Sequence, residues 1–237
     1  MKLYPVQILI ILMMITLSSN ARSKVCLPEI VSDGMILQRD TQNTSWGWAD
    51  KGEQITLTFK DSVYTTLPDS NGCWSVILPA VKAGGPYSIQ IRGKNSITLN
   101  NILFGDVWIC SGQSNMELPM RRVSWVYDSL MTHYENDNIR QFYVPRTYNF
   151  TAPQHNIASA TWKPVTSKNI PHFSATAFFF AKTLYEQYQI PVGLINTALG
   201  GSPVQAWMSE TALNAFPAYY NQAQMYKDST LVQVIQR

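Results

Sequence analysis

Between Leu27 and Asn101 apolar and polar positions exchange with a period near two. QITLTF (Gln54–Phe59) alternates cleanly, and GCWSVILP (Gly72–Pro79) and YSIQIRG (Tyr87–Gly93) do so more loosely. That spacing sends every second side chain to one face and predicts strands. Turn residues separate the runs at Asp50-Lys51-Gly52, Asp69-Ser70-Asn71-Gly72 and Gly84-Gly85-Pro86. Asn71-Gly72 tolerates positive φ at both residues and predicts a hairpin. No amphipathic helix fits, so residues 22–101 read as an all-β, sandwich-like domain.

After Ile102 the rhythm changes. Leu103 to Cys110 is largely apolar and predicts a buried strand. Met116 to His133 reads as helical or irregular, broken by Pro119. IRQFYV (Ile139–Val144) is strand-like. In SATAFFFAKTLYEQY (Ser174–Tyr188), Ser174 can cap a helix whose Phe178, Ala181, Tyr185 and Tyr188 share one face. Pro191 ends it, and VGLINTALGG (Val192–Gly201) returns as a second buried strand running into glycines. Strands alternating with helices predict an α/β domain with a parallel sheet over residues 102–237.

The extreme N-terminus reads as an address. Lys2, the apolar run Ile8–Leu17 and the small residues around Ser19-Asn20-Ala21 describe a cleavable export signal over residues 1–21. Such a run is too short to cross a bilayer of about 30 Å as a helix, so a secreted or periplasmic chain without stable membrane insertion is expected. With 46% hydrophobic and 14% charged residues the chain is globular. Its formal charge of +3 includes no basic run beyond Arg121-Arg122, so no nucleic-acid partner is expected. Cys110 reads as a small core hydrophobe, whereas Cys26 and Cys73 could pair. His133, His155 and His172 stand too far apart to suggest a metal site. Trp46 and Trp48 in TSWGWAD share one strand face and read as core packing, with sugar stacking as the alternative.

The two buried strands of the second region each end in small polar residues: Ser111 to Asn115, and Gly200-Gly201-Ser202. Ligands of open α/β sheets bind beyond such strand ends. Gly112 would permit a tight turn, Ser114 would present a nucleophilic hydroxyl, and Gln113 and Asn115 flank it as substrate-contacting candidates. The N–H of Ser114 and one from Gly200 or Gly201 could hold an oxyanion, each donor contributing roughly 3–4 kcal/mol. The plainer reading of both segments is a solvated turn. Met116 stands where a G-x-S-x-G elbow has its second glycine, so an ordinary α/β-hydrolase does not fit.

GDVWICSGQSNMELP (Gly105–Pro119) resembles the nucleophile block of the sialate O-acetylesterases, a branch of the SGNH (GDSL-like) hydrolases that also resembles acetylxylan esterases. SDGMILQR (Ser32–Arg39), AGGPYSIQIRG (Ala83–Gly93), FSATAFFFAKTL (Phe173–Leu184) and PVGLINTALGGSPVQAW (Pro191–Trp207) resemble that family in the same order. The resemblance implies an esterase that removes O-acetyl groups from sugars without a cofactor. Ser114 would be the nucleophile, and Ser114 with Gly201 or Gly200 would supply oxyanion donors. The family's W-Y-Q-G-E-like block and its D-x-x-H-like block, which carries the catalytic histidine, find no match up to Arg237. The hydrolase domain is therefore expected to be incomplete at its C-terminus. His172 could lie near the site, whereas His133 and His155 read as solvated. The competing reading is a non-catalytic carbohydrate-binding protein or a decayed hydrolase fragment.

Overall fold

The structure, a computed structural model, describes residues 24–157, 159–228 and 230, so the leader expected over residues 1–21 lies outside the described residues. The strands are β1 (Ile36–Gln38), β2 (Asn43–Trp48), β3 (Ile55–Phe59), β4 (Ser62–Thr66), β5 (Cys73–Leu78), β6 (Gly84–Arg92), β7 (Ser96–Cys110), β8 (Asn136–Tyr143), β9 (Trp162–Val165) and β10 (Val192–Asn196). The helices are α1 (Ser114–Glu117), α2 (Ser124–His133), α3 (Ala175–Tyr188), α4 (Glu210–Leu213) and α5 (Pro217–Met225). Eight strands make one mixed sheet in the order β4-β3-β6-β7-β10-β8-β9, with β1 also on β7, and β2–β5 form a separate ribbon. β7 joins two regimes. Its first part runs antiparallel to β6, and its last five residues, Asp106–Cys110, run parallel to β10. β10 is also parallel to β8, and β9 closes that edge antiparallel.

The period-two pattern explains how the ribbon covers the sheet. Ile55, Leu57 and Phe59 of β3 are buried, as are Trp74, Val76 and Leu78 of β5, all in one apolar core. In β2 the buried positions are Ser45 and Gly47, not the tryptophans. Trp46 and Trp48 sit half-buried on the outer face, edge to face with centroids 5.2 Å apart. The cause is Gly47: a Cβ there would come 2.3 Å from the Cys26 carbonyl and 3.0 Å from the Trp74 ring. The inward side of β2 has no room for large side chains. The core-packing reading of these two tryptophans is thereby corrected.

Three further expectations change. Asn71-Gly72 makes a turn, with Gly72 at φ +77°, but not a hairpin: β4 pairs with β3 and β5 pairs with β2. Asp69 Oδ1 accepts the N–H groups of Asn71 and Cys73 and steers the chain from one sheet to the other. Gly84 and Gly85 lie inside β6 rather than in a turn. Trp108 is 45% and Ile109 74% exposed, although they belong to the strand expected to be buried on both faces. Over Asp106–Cys110 the only strand partner among the described residues is β10. Trp108 there keeps an edge-to-face contact with Phe180 of α3.

Cys26, through an isolated bridge, and Cys73 of β5 both register against Trp48, from its two sides. Two inter-strand spacings of ~4.8 Å put their backbones roughly 10 Å apart, too far for a disulfide. Both are free and exposed.

α3 starts at its expected cap: Ser174 Oγ accepts the N–H of Ala177 at 3.2 Å. Ala177, Phe178 and Ala181 face a second core with Ile139, Val192 and Leu194, while Tyr188 is exposed. Gln189 adopts a left-handed conformation (φ 54°) and ends the helix. The buried Arg140 of β8 fastens the two parts of the sheet. It donates to the carbonyls of Gly34 (2.7 Å), Asn101 (2.6 Å) and Asp137 (2.7 Å). Among the described residues no helix is long and apolar enough to cross a membrane.

Candidate active site

Parallel pairing of β7 and β10 ends at Cys110 opposite Asn196, so the chains leaving both strands emerge side by side. Backbone bonds keep them together beyond the sheet: Thr197 N–H to the Cys110 carbonyl at 3.0 Å, and Leu199 N–H to the Gly112 carbonyl at 2.8 Å. Gly112 has φ +134°, a conformation that other residues rarely adopt, and lets β7 turn directly into α1. The Gln113 amide donates to the Ser202 carbonyl and ties the two loops across the gap.

Ser114 is the first residue of α1 and is exposed. Among the described residues neither its hydroxyl nor its N–H has a hydrogen-bond partner. Gly200 lies beside it: a Cβ there would stand 3.4 Å from Ser114 Oγ and 2.4 Å from Glu117 Oε2. The approach requires glycine. The N–H of Gly200 is already committed to Glu117 Oε2 at 2.7 Å. The N–H of Gly201, at φ +77°, carries no hydrogen bond among the described residues. Asn115 is exposed, and its carbonyl accepts from the Thr176 hydroxyl at 2.9 Å.

A cavity of about 770 Å³ opens beside Ser114. Its floor is polar: Gln141 of β8 and Asn196 of β10, both 3% exposed, are joined through Gln141 Oε1. That oxygen also accepts the Ser174 N–H at 3.0 Å, so the floor is anchored on the cap of α3. Its walls are cationic. Arg121, Arg122, Arg146 and Lys163 line it, and Glu117, ion-paired with Arg146, is the only acidic residue among them. His172 lines the same cavity, with Nδ1 3.4 Å from Arg121 Nη1. No histidine bonds Ser114 among the described residues. His133 turns back to the Ser129 carbonyl at 2.8 Å, and His155 is exposed.

Sequence reasoning missed Glu117, Gln141, Asn196 and Arg146. A signal existed for Glu117: Ser114-x-x-Glu117 places a carboxylate one helical turn after the serine. Asn196 is the single polar residue at the end of the apolar β10, Gln141 is one of several polar residues in β8, and only the strand pairing shows that they meet.

Residues 104–235 match the family described as carbohydrate esterase, sialic acid-specific acetylesterase. The sialate O-acetylesterase of Rattus norvegicus is 28% identical over 233 residues, which cover 89% of this chain and 42% of that protein. The sialate O-acetylesterase of Homo sapiens is 30% identical over 203 residues, 78% of this chain and 39% of that protein. Among solved structures, a carbohydrate acetylesterase from Xanthomonas citri superposes with a TM-score of 0.75 at 35% identity, over 80% of this chain and 43% of its own. The chain thus spans about two-fifths of the length of these relatives. The chain belongs to the carbohydrate esterase family of sialic acid-specific acetylesterases.

Proposed function

We propose that this chain carries the nucleophile half of a carbohydrate O-acetylesterase in which Ser114 attacks the acetyl carbonyl of an acetylated sugar. The observation that carries the reading is the position of Ser114. Its unpartnered hydroxyl stands at the end of β7, with the loop after β10 within van der Waals reach of it and a cavity alongside. Attack breaks the ester, leaves an acetyl group on Ser114 Oγ and returns the proton to the sugar oxygen; water then hydrolyses the acetyl-enzyme. The Ser114 and Gly201 N–H groups are the oxyanion donors in this reading, since Glu117 occupies that of Gly200. A general base for the Ser114 hydroxyl is needed besides.

The cationic walls favour an acidic sugar. Arg121, Arg122 and Lys163 can each meet a carboxylate, and arginine can do so with two parallel bonds. Residues 22–101 serve as a β-sandwich-like domain and residues 102–237 as an SGNH-type hydrolase domain, and the leader over residues 1–21 exports the chain. The absence of a histidine on Ser114 among the described residues favours one second reading, a carbohydrate-binding protein without turnover.

Acetate release from an O-acetylated sialic acid and from acetylated xylan, measured with the chain joined to the downstream half of a relative, tests the proposal. The acidic substrate is expected to be preferred, Ser114→Ala to abolish release, and Arg122→Ala to weaken the preference about tenfold or more. Release that survives Ser114→Ala would overturn it.

A further inference from the structure

The outer face of the β2–β5 ribbon lies outside the strand-end site and carries chemistry that the esterase reading does not use. A groove of about 590 Å³ is lined by Thr44 and Trp46 of β2, Trp74 and Ser75 of β5, and Thr66 and Asp69 where the chain leaves β4. The hydroxyls of Thr44, Thr66 and Ser75 have no hydrogen-bond partner among the described residues. Asp69 spends one carboxylate oxygen on the turn at Asn71 and Cys73, and its Oδ2 is uncommitted. Trp74, 2% exposed and part of the core, backs the groove from beneath.

We propose that this groove is a second carbohydrate site, which takes a neutral glycan with a sugar ring against Trp46 and its hydroxyls on Asp69, Thr44, Thr66 and Ser75. An aromatic surface beside small hydroxyl and carboxylate groups suits a ring that is apolar on its C–H face and polar at its edge. No Lys, Arg or His lines the groove, and its one charge is negative. That is the opposite of the cavity at Ser114, so an acidic sugar is repelled here and a neutral one is not. A space of about 590 Å³ admits a few sugar rings. The outward direction of Trp46 is imposed by Gly47 and the Trp74 ring beneath it. The ring is therefore presented without any ligand to order it.

Mobility of the full chain in native gels containing soluble neutral polysaccharides (galactomannan, mixed-linkage glucan, arabinoxylan and arabinogalactan) tests this, with hyaluronan as the acidic comparison. At least one neutral gel is expected to retard the protein, and any retardation by hyaluronan, which the cationic strand-end cavity can hold, is expected to be unaffected by Trp46→Ala. Trp46→Ala should weaken retardation roughly tenfold or more. Ser75→Arg, at an exposed position that does not endanger folding, should block the groove to the same extent. Ser114→Ala and Arg122→Ala should move with the wild type in the neutral gels, which separates this site from the strand-end cavity. No retardation in any neutral gel, neutral-gel retardation that persists in both groove variants, or neutral-gel retardation lost in Arg122→Ala would overturn the proposal.

Discussion

Burial pushes the Cys110 thiol up to about 11, whereas Cys26 and Cys73 are exposed at the two sides of Trp48. The thiolate is the reactive species, so Cys110 holds almost none of it at pH 8. Iodoacetamide at that pH is expected to label Cys26 and Cys73 quickly and Cys110 only after unfolding, as peptide mass spectrometry would show; equal labelling of all three would contradict the burial. At this scale the sequence was readable wherever the chemistry is local. Ser114, Gly112 and the glycines after β10 stand out as small residues beside strand ends. Glu117 had a local signal in Ser114-x-x-Glu117, but its hold on the distant Gly200 is set only by the pairing of β7 with β10. The same limit hid the outward turn of Trp46 and Trp48. Alternation says that they share a face, but the choice of face is made by the Cys26 carbonyl and the Trp74 ring against Gly47.

Among the elements, α3 shows how local signals and tertiary contacts combine. Ser174 caps the helix through Ala177, while its own N–H is held by Gln141 in the cavity floor. Ser174→Ala removes the cap and is expected to cost about 1 kcal/mol. For a chain of this size that lowers the melting temperature by about 2–4 °C in a thermal scan followed by circular dichroism. An unchanged midpoint would mean that the hydroxyl contributes nothing. β3, β5, β8, β10 and α3 were legible because their periodicity is strong and their ends carry turn or capping residues. β4 and its hairpin with β3 were not. The hairpin turns through Lys60 at φ 52°, where the expected Asn-Gly signal is absent. The burial of β7 was overestimated, since apolar composition cannot tell a central strand from one paired on a single side.

For the whole molecule, the two proposed sites have opposite electrical character and sit on different sheets. The strand-end cavity is walled by Arg121, Arg122, Arg146 and Lys163, and the groove on the β2–β5 ribbon contains Asp69 and no cation. Arg140 binds the turn at Gly34 and the bend at Asn101 to β8 and so ties the strand-rich region to the sheet that carries the cavity floor. The account rests on Ser114 as nucleophile. No histidine bonds it among the described residues, and without a triad base only residual catalysis is left. The most direct measurement is hydrolysis of p-nitrophenyl acetate by the chain of residues 22–237 and by Ser114→Ala, with and without added imidazole as an external base. Without imidazole both are expected to stay close to background. With it, the wild-type chain should exceed Ser114→Ala and carry an acetyl group on Ser114 by mass spectrometry. Identical rates for the two proteins at every imidazole concentration, with no acetyl on Ser114, would contradict the account. So would robust Ser114-dependent turnover without imidazole, which would make His133, His155 or His172 the base.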